Sequence, residues 1–205
     1  MVRRTKEDAQ VTRVCILDAA ELLFERQGVS RTTLQHIASA AGVTRGAIYW
    51  HFHDKAALFN AMMDRATMPL ETAMQSLDAI DTSDPLHDLR ECMLSVFRLV
   101  ARDPNTRRVF EICTHKIEYV EELNAVRERH LASHAQWMAR AESRIRIGIK
   151  HGLLKPTLPA RAIALGMWAL IDGLIRTWLL NPAEFKLESL GQQIVDFHLD
   201  SMRAS

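Results

Sequence analysis

The stretch that decides the fold is Thr33-Leu-Gln-His-Ile-Ala-Ser-Ala-Ala-Gly-Val-Thr-Arg-Gly-Ala-Ile-Tyr-Trp-His-Phe52. It predicts two short helices joined by a tight turn. Ser30-Arg-Thr-Thr supplies hydroxyl caps, and Thr32-x-x-Gln35 fits a capping box. The first helix is expected over 33–41. Gly42 supplies the positive φ of the turn. Thr44 caps the second helix, which is expected to end near His51. Small Ala38 lets the two helices approach, and Leu34, Ile37, Val43 and Ile48 fall on inward positions. The outward positions of the second helix are Thr44, Arg45, Gly46 and Tyr49. This is the layout of a helix-turn-helix, whose second helix enters the major groove.

Those outward residues have matching chemistry. Arg45 can donate a bidentate pair of hydrogen bonds to guanine O6 and N7. Gly46 permits close backbone approach, and Thr44, Tyr49 and His51 suit phosphate oxygens. Lys55 falls in the first turn of the next helix, where free amides and the helix dipole also favour a phosphate. Arg3, Arg4, Lys6 and Arg13 could reach a backbone or minor groove from an N-terminal arm, diluted by Glu7 and Asp8. On spacing alone, the alternative is two short helices within an ordinary bundle.

Working outward, apolar residues at Ile16, Ala20, Leu23 and Phe24 mark a helix over 12–27, closed by Gly28. A long helix starts at Lys55 after Asp54 and reaches toward Ile80. Pro69 interrupts it, and a kink or break is expected near Met68. Asp84-Pro85 starts the next helix. Further helices are expected over about 105–115, 118–151, 159–180 and 187–202. The pattern is all-α, with nine helices and no convincing strand. Only 8 Gly and 6 Pro agree with that.

Composition bounds the rest. A chain of 205 residues, 48% hydrophobic and 25% charged, can bury a core. The net charge of +1 does not announce a nucleic-acid partner, so that claim rests on local placement. Cys15, Cys92 and Cys113 are an odd, scattered set, as expected of a reduced compartment. The polar opening segment lacks a secretory h-region. The longest apolar run, Ala162 to Ile171, ends at Asp172 and is too short to cross a bilayer. The expectation is a cytoplasmic protein with no membrane partner.

The phrase Gly42-Val-Thr-Arg-Gly-Ala-Ile-Tyr-Trp-His-Phe, followed by Asp54-Lys55 and Leu58-Phe59, resembles the DNA-binding signature of the TetR family of transcriptional repressors. Arg3-Arg-Thr-Lys-Glu-Asp-Ala-Gln, Ile16-Leu-Asp-Ala-Ala and Phe24…Gly28-Val resemble its AcrR-like branch, repressors of multidrug efflux pumps. Asp84-Pro-Leu, Thr106-Arg-Arg, Glu111-Ile, His115-Lys and Asp172-Gly-Leu-Ile-Arg carry that resemblance through the rest of the chain. It implies a DNA-binding domain over about 1–60, with the motif at about 33–52, and a ligand-binding and dimerisation domain over 61–205. It implies DNA contacts by Thr44, Arg45, Tyr49, His51 and Lys55, and by Thr33 at the start of the motif. It also implies a homodimer on a palindromic operator, released by a lipophilic inducer.

The second half fits those implications. The helix expected over 159–180 is apolar nearly all round, so it needs cover on two sides. Together with the last helix (Leu190, Ile194, Phe197, Met202) it can pair with a second copy, and Gly166 and Gly173 allow close approach. A single large monomeric core is the alternative. By match to relatives, Met93, Val96, Phe110, Trp137, Met167 and Trp168 are expected on a ligand cavity, with Asp172 and Arg176 as its polar groups. Phe110 and Trp137 are bulkier than the usual residues there. The plainer reading of Asp172 and Arg176 is an i,i+4 ion pair. The helix from Lys55 joins the two domains, so Pro69 is a candidate hinge.

An enzyme or metal protein is the alternative of another class. His51-x-His53 and the i,i+4 pair His130 and His134 lack metal-ligand context, and no catalytic or nucleotide-binding motif occurs. No cofactor is expected. A redox role for any cysteine would require a lowered thiol pKa. Within the family reading, a sensor for one metabolite, an acyl-thioester or aromatic acid, is the alternative to a multidrug sensor.

Overall fold

The computed structural model describes residues 6–75, 84–155 and 157–204. Arg3, Arg4, Ile80 and Pro156 lie outside them. Among the described residues there are nine α-helices and no strand: α1 Lys6–Gln27, α2 Leu34–Ala40, α3 Arg45–His51, α4 Lys55–Gln75, α5 Pro85–Arg102, α6 Pro104–Glu111, α7 Asn124–Lys150, α8 Ala160–Leu180 and α9 Leu187–Met202. A π-turn at Ile112–Lys116 and a 3₁₀ turn at Glu121–Leu123 separate α6 from α7. They stand where a helix end and a helix start were expected.

The chain divides into two compact units, Met1–Ala66 with Arg108–His130, and Thr67–Arg107 with Leu131–Ser205. A single cut near residue 60 therefore differs from the packing. Val109, Ile112, Leu123 and Val126 are buried in the core of the first unit beside Ile16, Phe24, Ile37, Ile48 and Phe59. Phe24 and Phe59, both fully buried, bring α1 and α4 together with ring centroids 5.8 Å apart.

Local chemistry explains the helix ends. Thr44 caps α3, its hydroxyl accepting from the Ala47 amide at 3.2 Å. Asp84 caps α5 by accepting from the His87 amide at 2.9 Å, with Pro85 as first helical residue. Gly28 and Gly42 take φ of +83° and +66°, the left-handed turns that glycine adopts freely. The capping box needs correction. It is formed by Thr33 and His36, not Thr32 and Gln35. Thr32 is fully buried, and its hydroxyl already donates to the Gly28 carbonyl at 2.7 Å and accepts from Gln27 Nε2 at 3.1 Å. The next hydroxyl along the chain is the exposed one, so it becomes the cap.

The break expected at Pro69 does not occur. Helix α4 runs through it from Lys55 to Gln75. The proline removes one amide, so the carbonyl of Arg65 loses its helical partner. One missing bond does not end a helix whose preceding turns are anchored by the buried Met62 and Ala66.

In the second unit, α5, α8 and α9 pack on one another. At Gly191 on α9 an added Cβ would lie 2.6 Å from Cδ2 of the fully buried Phe97 on α5. Gly191→Ala is therefore expected to cost about 1–3 kcal/mol. Calorimetry should show a Tm lower by about 2–4 °C per kcal/mol. An unchanged Tm would mean that Phe97 can move aside.

Helix α8 also revises the membrane argument. The uninterrupted apolar run is short, but α8 extends to 21 residues with a mean hydropathy of 1.5, long and apolar enough to cross a bilayer by length and composition. Asp172 lies within it, its carboxylate paired with Arg176 one turn on, at 2.6 Å. The buried positions of α8, Ile163, Ala164, Met167, Ile171, Ile175, Trp178 and Leu179, form one stripe inside the unit. The opposite stripe, with Leu165 and Leu180, is exposed in the isolated chain, as is Phe197 on α9.

Candidate nucleic-acid interface

The second helix of the motif presents the expected face. Thr44, Arg45, Gly46 and Tyr49 are all exposed, while Ile48 is fully buried and pins α3 to the core. Arg45 and Tyr49 are one turn apart. The Arg45 guanidinium donates to the Tyr49 hydroxyl at 3.0 Å and lies 5.4 Å from the ring centroid. The hydrogen bond uses one of the five guanidinium N–H donors. An added Cβ at Gly46 would meet nothing nearer than Thr44 Oγ1 at 3.8 Å. The fold itself therefore does not demand glycine there. Thr33 is exposed at the start of α2, and its hydroxyl caps that helix by accepting from the His36 amide. His51 is half-buried and packs edge-on against Trp50, centroids 4.5 Å apart.

Lys55 is placed otherwise than expected. Its side chain is 5% exposed. The ammonium donates to the carbonyls of Val29 at 3.2 Å and Thr32 at 3.3 Å, and pairs with Glu122 at 2.8 Å. As a side-chain phosphate contact it is corrected: the charge is spent inside the unit, tying the turn before α2 to the start of α4. The reason is the depth of the first turn of α4, where Ala56, Leu58 and Phe59 are buried alongside it. Lys6 is exposed, and Arg13 lies over the Phe52 ring at 5.2 Å.

Two features were legible in the sequence and went unread. Trp50 is 73% exposed and stands one turn beyond Gly46 on the same face of α3. Helical spacing from Gly46 points to it. From Arg26 through His53 the chain holds no Asp or Glu at all, against 25 in the whole sequence. The near-zero net charge conceals a stretch without acidic residues.

The eight residues expected on a ligand cavity do not share one setting. Phe110 falls in the N-terminal unit and the others in the C-terminal unit. Met93, Trp137 and Met167 are at most 4% exposed. Trp137 and Trp168 meet edge to face at 5.2 Å, and His134 packs on Trp168 at 4.8 Å. Val96 is half-buried. Asp172 and Arg176 form the plain i,i+4 ion pair, both well exposed, worth roughly 0.2–0.5 kcal/mol. Two grooves on the C-terminal unit, of about 490 and 390 Å³, share Arg98 and Arg102. None of the eight residues lines either.

Burial pushes the Cys92 thiol up to about 11, only partly offset by its hydrogen bond with Trp137. Burial likewise pushes Cys113 up to about 12. Both stay protonated and poorly nucleophilic near neutrality. Among the described residues, no group of three or more His, Cys, Asp or Glu is placed to hold a metal ion.

Comparison with known proteins identifies the family. Residues 16–62 match the family described as bacterial regulatory proteins, tetR family. Residues 84–204 match the C-terminal region of MAATS-type transcriptional repressors. The chain is 40% identical over its full length to the HTH-type transcriptional regulator TtgR of Pseudomonas putida, covering 98% of that protein. It is 37% identical to AcrR of Shigella flexneri, over 98% of this chain and 93% of the other. The crystal structure of NalD, the secondary repressor of the MexAB-OprM multidrug efflux pump in Pseudomonas aeruginosa, superposes with a TM-score of 0.89 at 35% identity, covering 97% of this chain and 98% of NalD. The acid-free, outward-facing α3 and these full-length similarities have one explanation: the chain belongs to the TetR family of bacterial transcriptional regulators.

Proposed function

We propose that the protein is a ligand-responsive repressor that binds a palindromic operator as a homodimer, controls a multidrug efflux operon in the cytoplasm, and is released from DNA by a lipophilic compound. The exposed face of α3, with Arg45 stacked on Tyr49 beside Gly46 and Trp50, carries this reading. Arg45 reads a guanine edge, Trp50 supplies an apolar surface for thymine methyls, and Thr33, Thr44, Tyr49 and His51 serve the flanking phosphates. The similarity to NalD, the repressor of a multidrug efflux pump, supports the efflux assignment, and a SmeT structure at 29% identity was solved with triclosan.

The dimer is read from α8 and α9. Leu165, Gly166, Ala169, Gly173 and Leu180 of α8, with Phe197 of α9, leave an apolar face open in the single chain. A second copy covers it, with the small residues allowing close helix approach. Two copies present two recognition helices to two half-sites.

Fluorescence anisotropy with DNA from upstream of the protein's own gene tests the reading. Specific binding should weaken about a thousandfold or more between 50 and 200 mM salt, as for about 6–10 phosphate contacts. Triclosan should relieve it. Binding no tighter than to random DNA would overturn the repressor assignment. Tight binding indifferent to triclosan and other lipophilic drugs would leave a repressor with another inducer.

A further inference from the structure

Glu21 on α1 is a carboxylate only 2% exposed, yet two guanidinium groups from two different helices converge on it. Arg65 of α4 hydrogen-bonds Glu21 through Nη2 and donates to Asp18 through Nη1 at 2.6 Å. Arg108 of α6 places Nη1 3.6 Å from the other Glu21 oxygen and Nε 3.1 Å from Glu25. Burial alone would lower the Arg65 guanidinium, but the hydrogen bonds it donates to Glu21 and Asp18, with their negative charge, outweigh it and hold it above its usual value. The cluster lies wholly within the N-terminal unit.

Both cations sit at crossings. Helix α4 passes from the N-terminal unit to the C-terminal one between Ala66 and Thr67, directly after Arg65. Helix α6 crosses between Arg107 and Arg108. Pro69 adds compliance at the first crossing, because the carbonyl it leaves without a helical partner belongs to Arg65 itself. So the residue whose backbone bond is released is the one whose side chain is anchored. On the receiving side, α1 carries Ile16, Leu17, Ala20 and Phe24 into the core that holds Ile37 and Ala38 of α2 and Ile48 of α3.

We propose that Glu21 is a positioning residue that couples α4 and α6 to the helix-turn-helix, so that displacement of either helix in the C-terminal unit is passed through α1 to α2 and α3. This rests on the ligand-responsive repressor reading for its purpose, and on the cluster alone for its physics. A buried carboxylate that loses one of two cations is left undercompensated in a low-dielectric surrounding. The three helices therefore shift together rather than one at a time.

The test is a double-mutant cycle on the full chain, read by native-state amide exchange without DNA or ligand. Leu89→Ala loosens the C-terminal unit at a fully buried position of α5. In the parent this loosening should lower protection of the α1 amides between Ile16 and Phe24 by about tenfold. In the Glu21→Gln background it should change them by less than about twofold. A merely structural role for Glu21 would lower α1 protection equally with and without Leu89→Ala, and that result overturns the proposal. So does a parent in which α1 ignores Leu89→Ala.

Arg108→Gln, at a side chain 27% exposed, removes one cation and leaves Glu21 with Arg65. It should reduce the coupling in the same direction and serves if Glu21→Gln fails to fold. The same variants in operator titrations with triclosan should keep affinity for each ligand alone but lose most of their mutual effect. A parent that binds no operator would count against the repressor reading and leave the exchange cycle to decide Glu21.

Discussion

Arg45→Ala is expected to lower operator affinity at least about 30-fold, with a far smaller loss on random DNA. A bidentate contact to guanine contributes about 1–3 kcal/mol of discrimination, and a dimer makes it twice. Nothing in the fold depends on this side chain. Arg45 is exposed, and its partner within the protein is the exposed Tyr49, one turn along α3. The variant should therefore unfold at the parent temperature, which separates recognition from stability. Arg45→Lys should recover little, because an ammonium lacks the planar fork that matches guanine O6 and N7. Competition anisotropy against random DNA checks the assignment. Equal losses on both DNAs would make Arg45 a phosphate contact, and a salt slope reduced by about one per head would accompany them.

Lys55→Met should instead appear first in stability. Removing the ammonium strands the carbonyl of Thr32, a fully buried residue, while that of Val29 keeps its bond from the Thr32 amide at 3.2 Å. One unsatisfied buried group costs about 1–3 kcal/mol, and a loss of that size is expected. The pair with Glu122 adds less, since that carboxylate is 58% exposed and screened by water. Denaturant unfolding measures the loss. Operator affinity should fall only as far as the motif is misplaced, with the salt slope unchanged. A fully stable variant with a shallower salt slope would show that this ammonium reaches a phosphate after all.

These two residues also mark how far the sequence could be read. Arg45, Thr44 and Tyr49 were legible because local periodicity puts them on the outer face of a seven-residue helix whose inner side, Ile48, is apolar. Lys55 was not, because its fate is set by Glu122 and by backbone carbonyls distant in the chain. The choice of Thr33 over Thr32 as cap shows the same limit at closer range. Two adjacent hydroxyls have equal local propensity, and burial beneath the α1–α2 turn selects between them. At Pro69 the expectation was a kink or a break; the local rule was sound about the lost hydrogen bond, but one lost bond does not break α4. The ligand residues were the least legible. A cavity is a gap between side chains from several helices, and neither spacing nor composition locates gaps. What the structure adds there is the Trp137–Trp168 contact and the surface pairing of Asp172 with Arg176.

The exposed indole on α3 has a practical corollary. The chain holds four tryptophans, and Trp50 stands apart from the rest. It is the water-facing one of the N-terminal unit, whereas Trp137 and Trp178 are at most 6% exposed and belong, with Trp168, to the C-terminal unit. Trp178 also lies beneath the Arg107 guanidinium at 5.0 Å. Emission from Trp50 falls at the red edge of the spectrum and is open to aqueous quenchers. Emission from the buried Trp137 and Trp178 is blue-shifted and shielded, and the half-buried Trp168 falls between. The two units thus carry separate optical labels already written into the sequence, and events at the DNA-facing surface and within the C-terminal helices can be followed in one unlabelled sample.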